Sequence, residues 1–204
     1  MNVLLVHGLG RTSLSLRRLG RDLADAGHRP EYFGYRPWAE SYAAMRNRLA
    51  VRLVMLSEQG PYALIGHSLG GLLLRDALCH AGGRMPELLV LLAAPAAPPR
   101  AARLAWRLPP FRWFARDAGR ELVEWAAPGE IPDPRYRCLV IAGTRGPGGR
   151  WTPFRGEAND GILAVSETAI GSAARLATVR ATHTFIMNHP DTRAIIREAL
   201  AMDR

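Results

Sequence analysis

The sequence predicts an α/β protein: a mostly parallel sheet of about six strands with helices on both faces. Three observations carry this expectation. Short apolar segments of strand character alternate with longer segments of helical periodicity, the order that builds a sheet from crossover units. The strand segments are apolar throughout rather than alternating, as strands covered on both faces should be. Around residues 60–78 a strand, a tight glycine-flanked turn and a helix follow one another without spacing.

Taken in order, strands are expected at 2–6, 31–34, 62–65, 87–93, 137–142 and 175–180. Helices are expected at 13–26, 41–58, 69–81, in part of 99–125, and at 190–202. Gly60-Pro61 punctuates the approach to the third strand, and good helix formers follow Leu69. His189 precedes Pro190 at a helix start, the place of a capping residue. The 204 residues suffice for a single domain with a sizeable core. Residues 96–134 are longer than a simple crossover needs and form a candidate insertion.

Composition narrows the function classes. The formal net charge is +9, and all 27 basic residues are arginine because the chain contains no lysine. With abundant alanine and glycine, this looks like a genome-wide bias. The excess would favour anionic partners, but the arginines are spread over the chain and no nucleic-acid module is visible, so nucleic acid is not an expected partner. Cys79 and Cys138 are far apart, and the simplest expectation is that both are buried and reduced. No basic leader precedes the first strand, and the longest apolar run, 88–98, is too short to span a bilayer. A cytoplasmic protein is expected.

The chemistry centres on Gly66-His67-Ser68-Leu69-Gly70, a G-x-S-x-G sequence between a strand and a helix. That context makes it a nucleophile elbow. So sharp a turn strains the serine backbone and leaves no room for a Cβ two residues away, where Gly66 and Gly70 stand. A serine hydroxyl is a weak nucleophile at neutral pH; it needs a base, and the base needs an orienting acid. His183 follows the last strand directly, in a loop at the carboxyl edge of the sheet, and is the expected base. His80 sits on the helix after the elbow and points away from that edge. Asp160, in Asn159-Asp160-Gly161, is the expected acid, although the same tripeptide is a tight-turn signal. Asp133 and Asp191 would need unusual paths to reach His183. The oxyanion would be held by two backbone N–H groups, those of Leu69 and of Leu9 in His7-Gly8-Leu9-Gly10.

Val6-His7-Gly8-Leu9-Gly10, Gly66-His67-Ser68-Leu69-Gly70-Gly71, Asn159-Asp160-Gly161 and Thr182-His183-Thr184-Phe185-Ile186-Met187, in this order, resemble the α/β-hydrolase superfamily, close to its small bacterial lipase/esterase type. The resemblance covers essentially the whole chain. It implies a Ser68–His183–Asp160 triad, a carboxylic ester hydrolase working through an acyl-enzyme, and no metal or organic cofactor. Because the first strand lies almost at Met1, the two leading antiparallel strands of the family are expected to be missing.

Other readings are weaker. Gly8-x-Gly10 after a strand hints at dinucleotide binding, but Ser13 replaces the third glycine and Phe33-Gly34-Tyr35 offers no acidic residue. Residues 143–149 lack the lysine and hydroxyl of a phosphate-binding loop, so a mobile loop is expected there. A non-catalytic scaffold has no support while all three side chains are present. Acyl transfer to an alcohol or amine shares the triad and is the nearest rival within enzymes.

Residues 96–134 carry Trp106, Phe111, Trp113, Phe114 and Trp125 interleaved with Arg100, Arg103, Arg107, Arg112, Arg116 and Arg120. Phe111, Phe114, Ala118, Leu122 and Trp125 fall at helical spacing, while Pro109-Pro110 would keep any helix short. Two readings stand: a lid or acyl-pocket wall able to rest weakly on anionic lipid through 100–125, or a helix that covers the core with a solvated basic face. The expected substrate is a small-molecule or lipid ester. Chain length, alcohol group and oligomeric state are left open.

Overall fold

A computed structural model describes residues 1–124, 136–171 and 174–202. Six strands form one sheet: β1 (Asn2–Val6), β2 (Arg29–Phe33), β3 (Tyr62–His67), β4 (Leu88–Leu92), β5 (Arg137–Gly143) and β6 (Ala174–Val179). Their order is β2-β1-β3-β4-β5-β6, and every pairing is parallel. The helices are α1 (Arg17–Asp25), α2 (Tyr42–Glu58), α3 (Leu69–His80), α4 (Arg100–Ala105), α5 (Pro109–Glu124) and α6 (Pro190–Ala201).

Successive strand residues point to opposite faces, and this divides the core in two. Leu4, Val6, Leu64, Leu89, Leu91 and Val140 pack on the side of α2 and α3. Val3, Leu5, Ile65, Val90, Leu92 and Ile141 pack against α1 and α6, through Leu19, Leu23, Ile196 and Leu200. The central strands β3 and β4 are buried at every residue, as their unbroken apolar runs require. The edge strands differ from the expectation: β2 and β6 are mostly half-buried or exposed, because each has a neighbour on one side only.

Several boundaries move for identifiable reasons. The first helical segment opens as a 3-10 turn over Ser13–Leu16. Strand β3 continues through Gly66 and His67 to the elbow, since β4 still pairs with it there. The 99–125 segment does break before Pro109-Pro110: α4 ends at Ala105 and the prolines open α5, where a missing N–H costs nothing. A second break comes at Arg116, whose φ of 47° departs from helix, so α5 is itself kinked. Trp125 and Asp133 lie outside the described residues. Cys138 is buried, and burial pushes its thiol up to about 11. Cys79, also expected inside, is exposed at the end of α3.

Residues 143–149 are tied down rather than loose. Gly146 N–H donates to Asn159 O at 2.6 Å, and Asn159 Nδ2 donates to Pro147 O at 3.0 Å. A Cβ at Gly146 would overlap the Asn159 side chain, so glycine is needed for this approach. Among the described residues, no helix is long and apolar enough to cross a membrane.

Candidate active site

The chain leaves β1 toward β2 and leaves the adjacent β3 toward β4 in the opposite direction, which opens a crevice at the carboxyl ends of β1 and β3. Ser68 stands there, between β3 and α3, with φ 53° and ψ −124°. This backbone is unfavourable for a residue with a Cβ. Its neighbours hold it: Ser68 N–H donates to Leu92 O at 2.9 Å, and Ser68 O accepts from Gly71 N–H at 2.9 Å. The flanking glycines are needed for contact. A Cβ on Gly66 would fall 2.5 Å from Gly71 Cα, and one on Gly70 2.4 Å from His7 O.

His183 and Asp160 reach the same place from the far side of the sheet. His183 opens a 3-10 turn after β6, and its Nε2 lies 2.9 Å from Ser68 Oγ. Its Nδ1 lies 2.8 Å from Asp160 Oδ2. A carboxylate only accepts, so Nδ1 carries the proton and Nε2 is left to accept from the Ser68 hydroxyl. The other Asp160 oxygen accepts from Ile162 N–H at 2.9 Å and Leu163 N–H at 2.7 Å. Asp160 O accepts from His183 N–H at 2.9 Å. Thus the turn signal in Asn159-Asp160-Gly161 and the contact with His183 coexist: Gly161 takes φ 97°, and the turn aims the buried carboxylate. Gly143 ends β5 where a Cβ would meet Asp160 Cβ at 2.7 Å and Ala181 O at 2.6 Å, so its bareness lets these chains cross. His80 does not join the group; it is exposed on α3 with Nδ1 2.8 Å from Asp76 O. His189 caps α6, its ring accepting from Asp191 N–H.

The backbone at Leu9 is oriented by residues that sequence reasoning did not single out. Tyr35 stacks on His7 with ring centroids 4.2 Å apart and donates its hydroxyl to His7 O at 2.7 Å. Tyr35 N–H donates to His7 Nε2 at 3.4 Å, so the ring proton sits on Nδ1, 3.0 Å from Gly8 O. Arg11 N–H also donates to Gly8 O, at 3.2 Å. In a trans peptide the N–H points opposite the C=O, so fixing the Gly8 carbonyl fixes the direction of the Leu9 N–H. Leu69 N–H belongs to the first turn of α3, where no intrahelical acceptor exists.

His67, the first of the two variable residues of the pentapeptide, was also missed. Its Nε2 lies 3.0 Å from His183 O, which can only accept, so Nε2 carries the proton. The bond ties the nucleophile turn to the histidine turn, and its only trace in sequence is a histidine where any residue fits the pattern. Burial, aided by His183, holds His67 well below the usual imidazole range. A histidine kept neutral in the fold but free to protonate when unfolded favours unfolding in acid. Its contribution is complete above about 6.5 and is lost as pH falls below that value. The protein is expected to lose about 1 kcal/mol of stability per pH unit below 6 through this residue. Urea unfolding of wild type and His67→Gln at several pH values should show the variant with the shallower slope; parallel slopes would remove His67 as the cause.

A cavity of about 370 Å³ opens beside Ser68 and His183. Its walls are mainly apolar: Leu9, Ala102 and Ala105 of the α4 segment, Phe111 and Phe114 of α5, and Leu163. Arg11 is the charged exception, anchored by Nη2 donation to Thr184 O at 3.2 Å.

Comparison with known proteins bears on the fold and the family. A search of curated proteins finds no match. Among solved structures, the RedJ thioesterase of the prodiginine pathway in Streptomyces coelicolor is 14% identical, aligned over 100% of this chain and 90% of its own, with TM-score 0.69. ClbQ from the colibactin NRPS/PKS pathway is 14% identical over 98% of this chain and 97% of its own, with TM-score 0.69. A soluble variant of monoglyceride lipase from Saccharomyces cerevisiae is 13% identical over 98% and 84%, with TM-score 0.68. At such identities the likeness is one of fold. The Alpha/beta hydrolase family model, however, matches residues 3–203 of the sequence itself, and the chain belongs to that family.

Proposed function

We propose that the protein is a serine hydrolase that cleaves carboxylic esters of apolar acids through an acyl-enzyme on Ser68. The observation that carries this reading is the pair of contacts made by one imidazole, 2.9 Å to Ser68 Oγ and 2.8 Å to Asp160 Oδ2, beside an apolar cavity.

In this reading Ser68 Oγ attacks the ester carbonyl while His183 Nε2 takes its proton. Asp160 holds the imidazole in the required tautomer and stabilises the imidazolium. The N–H groups of Leu9 and Leu69 bind the oxyanion, each contributing about 3 kcal/mol to the transition state. His183 then protonates the leaving alcohol, and a water deprotonated by the same nitrogen releases the acid and restores Ser68.

The apolar walls formed by α4 and α5 take the acyl chain. Each buried methylene contributes about 0.8 kcal/mol, so kcat/KM on p-nitrophenyl esters is expected to rise about fourfold per added methylene until the cavity is full. Ala105→Phe should move the optimum to shorter acids. A profile flat from acetate to palmitate would remove the cavity from the acyl site. A fluorophosphonate probe tests the chemistry more directly: mass spectrometry should find it on Ser68, and an unmodified Ser68 would end the proposal.

Thioesters are a second reading, favoured by the structural likeness to a thioesterase such as RedJ. Matched oxygen and sulfur esters of one acid decide between them by their kcat/KM ratio.

A further inference from the structure

One of the two sequence readings lets 100–125 rest on anionic lipid, but the arginines of α5 are engaged within the protein. The Arg112 guanidinium lies over the Trp106 ring, Arg116 donates to Trp38 O, and Arg120 pairs with Glu124. The uncompensated charge lies elsewhere. Arg100 at the start of α4 donates to both Glu157 oxygens at 3.0 Å and, through Nε, to Glu167 at 3.0 Å. This clamp joins α4 to residues 150–157, a segment also pinned by the buried Phe154. Between them runs a second groove of about 420 Å³, whose lining includes Arg103, Arg107, Arg150, Arg155, Leu104 and Trp151. Among the described residues, these four arginines have no carboxylate partner. Trp151 is 100% exposed and Leu104 53% exposed.

We infer that this face, built by α4 and the 150–155 segment, docks the protein on a phospholipid surface of net negative charge. The inference concerns attachment and stands apart from the acyl chemistry. Guanidinium groups bind lipid phosphates in a planar, bidentate manner, and arginines near an anionic surface add up. A tryptophan and a leucine standing clear of the protein enter the boundary between headgroups and acyl chains. A single soluble phosphate would engage one or two of the arginines and leave Trp151 and Leu104 in water. An extended surface uses all of them. Helix α4 also carries Ala101, Ala102 and Ala105 on the side that lines the Ser68 cavity, so docking sets one wall of that cavity against the lipid.

The test is sedimentation with vesicles of mixed phosphatidylglycerol and phosphatidylcholine, compared with pure phosphatidylcholine. Wild type should bind the mixed vesicles, far less the neutral ones, and weaken as salt rises. Arg103→Glu with Arg150→Glu should lower the partition coefficient at least about 100-fold. Trp151→Ala should lower it several-fold even at high salt. Arg17→Glu with Arg18→Glu, an equal charge change on exposed residues of α1, should lower it less than about tenfold. Circular dichroism checks that each variant is folded. Ser68→Ala should bind as wild type does, which keeps this result independent of the hydrolase reading. Absence of binding to mixed vesicles, equal binding to neutral ones, or equal losses from the two double variants would overturn the inference. So would displacement by inorganic phosphate well beyond that by chloride at matched ionic strength, which would mark a discrete phosphate site instead.

Discussion

Ser68→Ala is expected to lower kcat on a p-nitrophenyl ester by about a millionfold, with KM nearly unchanged. The size of the effect follows from the geometry. In the proposed reaction, loss of Oγ removes the nucleophile that His183 would deprotonate, while the apolar walls of the cavity proposed to take the acyl group are unchanged. What remains is catalysis by the backbone N–H groups and by binding, about a thousandfold over water. His183→Ala should cost about the same as Ser68→Ala, and the double variant little more than either, because the two side chains act as one unit. The measurement is kcat and KM for the two single variants and the double variant on one ester. Losses below about tenfold, or losses that multiply, would show that the 2.9 Å contact between Ser68 and His183 is not the reacting pair.

Gly70→Ala is expected to be strongly destabilising although it adds only a methyl group. Its added methyl would lie 2.4 Å from His7 O and 2.5 Å from Val6 O. Both are backbone atoms at the end of β1, and neither can swing aside as a side chain would. Helix α3 must therefore lift or β1 must bend, at a cost of about 3 kcal/mol. For a chain of this length that is a fall in Tm of roughly 6–12 °C. The same displacement moves the His7-Gly8-Leu9 backbone relative to Ser68, so kcat should fall with stability rather than KM rise. Calorimetry and ester kinetics on the variant check both expectations. A change in Tm under about 2 °C would mean that the elbow tolerates a methyl group here. Gly60→Ala is the useful contrast: nothing lies within 4 Å of a Cβ there, although its φ of 109° still carries strain.

The alternation of segments was legible because a strand buried on both faces needs an unbroken apolar run, as 62–65 and 88–92 show, and a covering helix needs one apolar face. The boundaries that moved are those set by partners. Strand β3 runs on to His67 because β4 continues beside it, and β2 and β6 are half-exposed because nothing pairs with their outer edges. Pro109-Pro110 marks a break in the segment, with a helix ending at Ala105 before it, and proline also suits the first turn of the helix that follows. Cys79 was expected inside because cysteine is usually buried; its position at the last turn of α3 puts it outside.

A parallel α/β sheet and the short patterns around Ser68, Asp160 and His183 are readable without coordinates, because strained turns and glycine contacts are written in neighbouring residues. Three features exist only in the folded chain: the bond from His67 to the carbonyl of His183, the bond from Tyr35 to the carbonyl of His7, and the groove where Arg103 and Arg107 meet Arg150 and Trp151. Each of these joins residues far apart in the chain through a carbonyl, a ring face or a shared surface. Such contacts impose no local pattern, and they exist only once the sheet has brought its ends together.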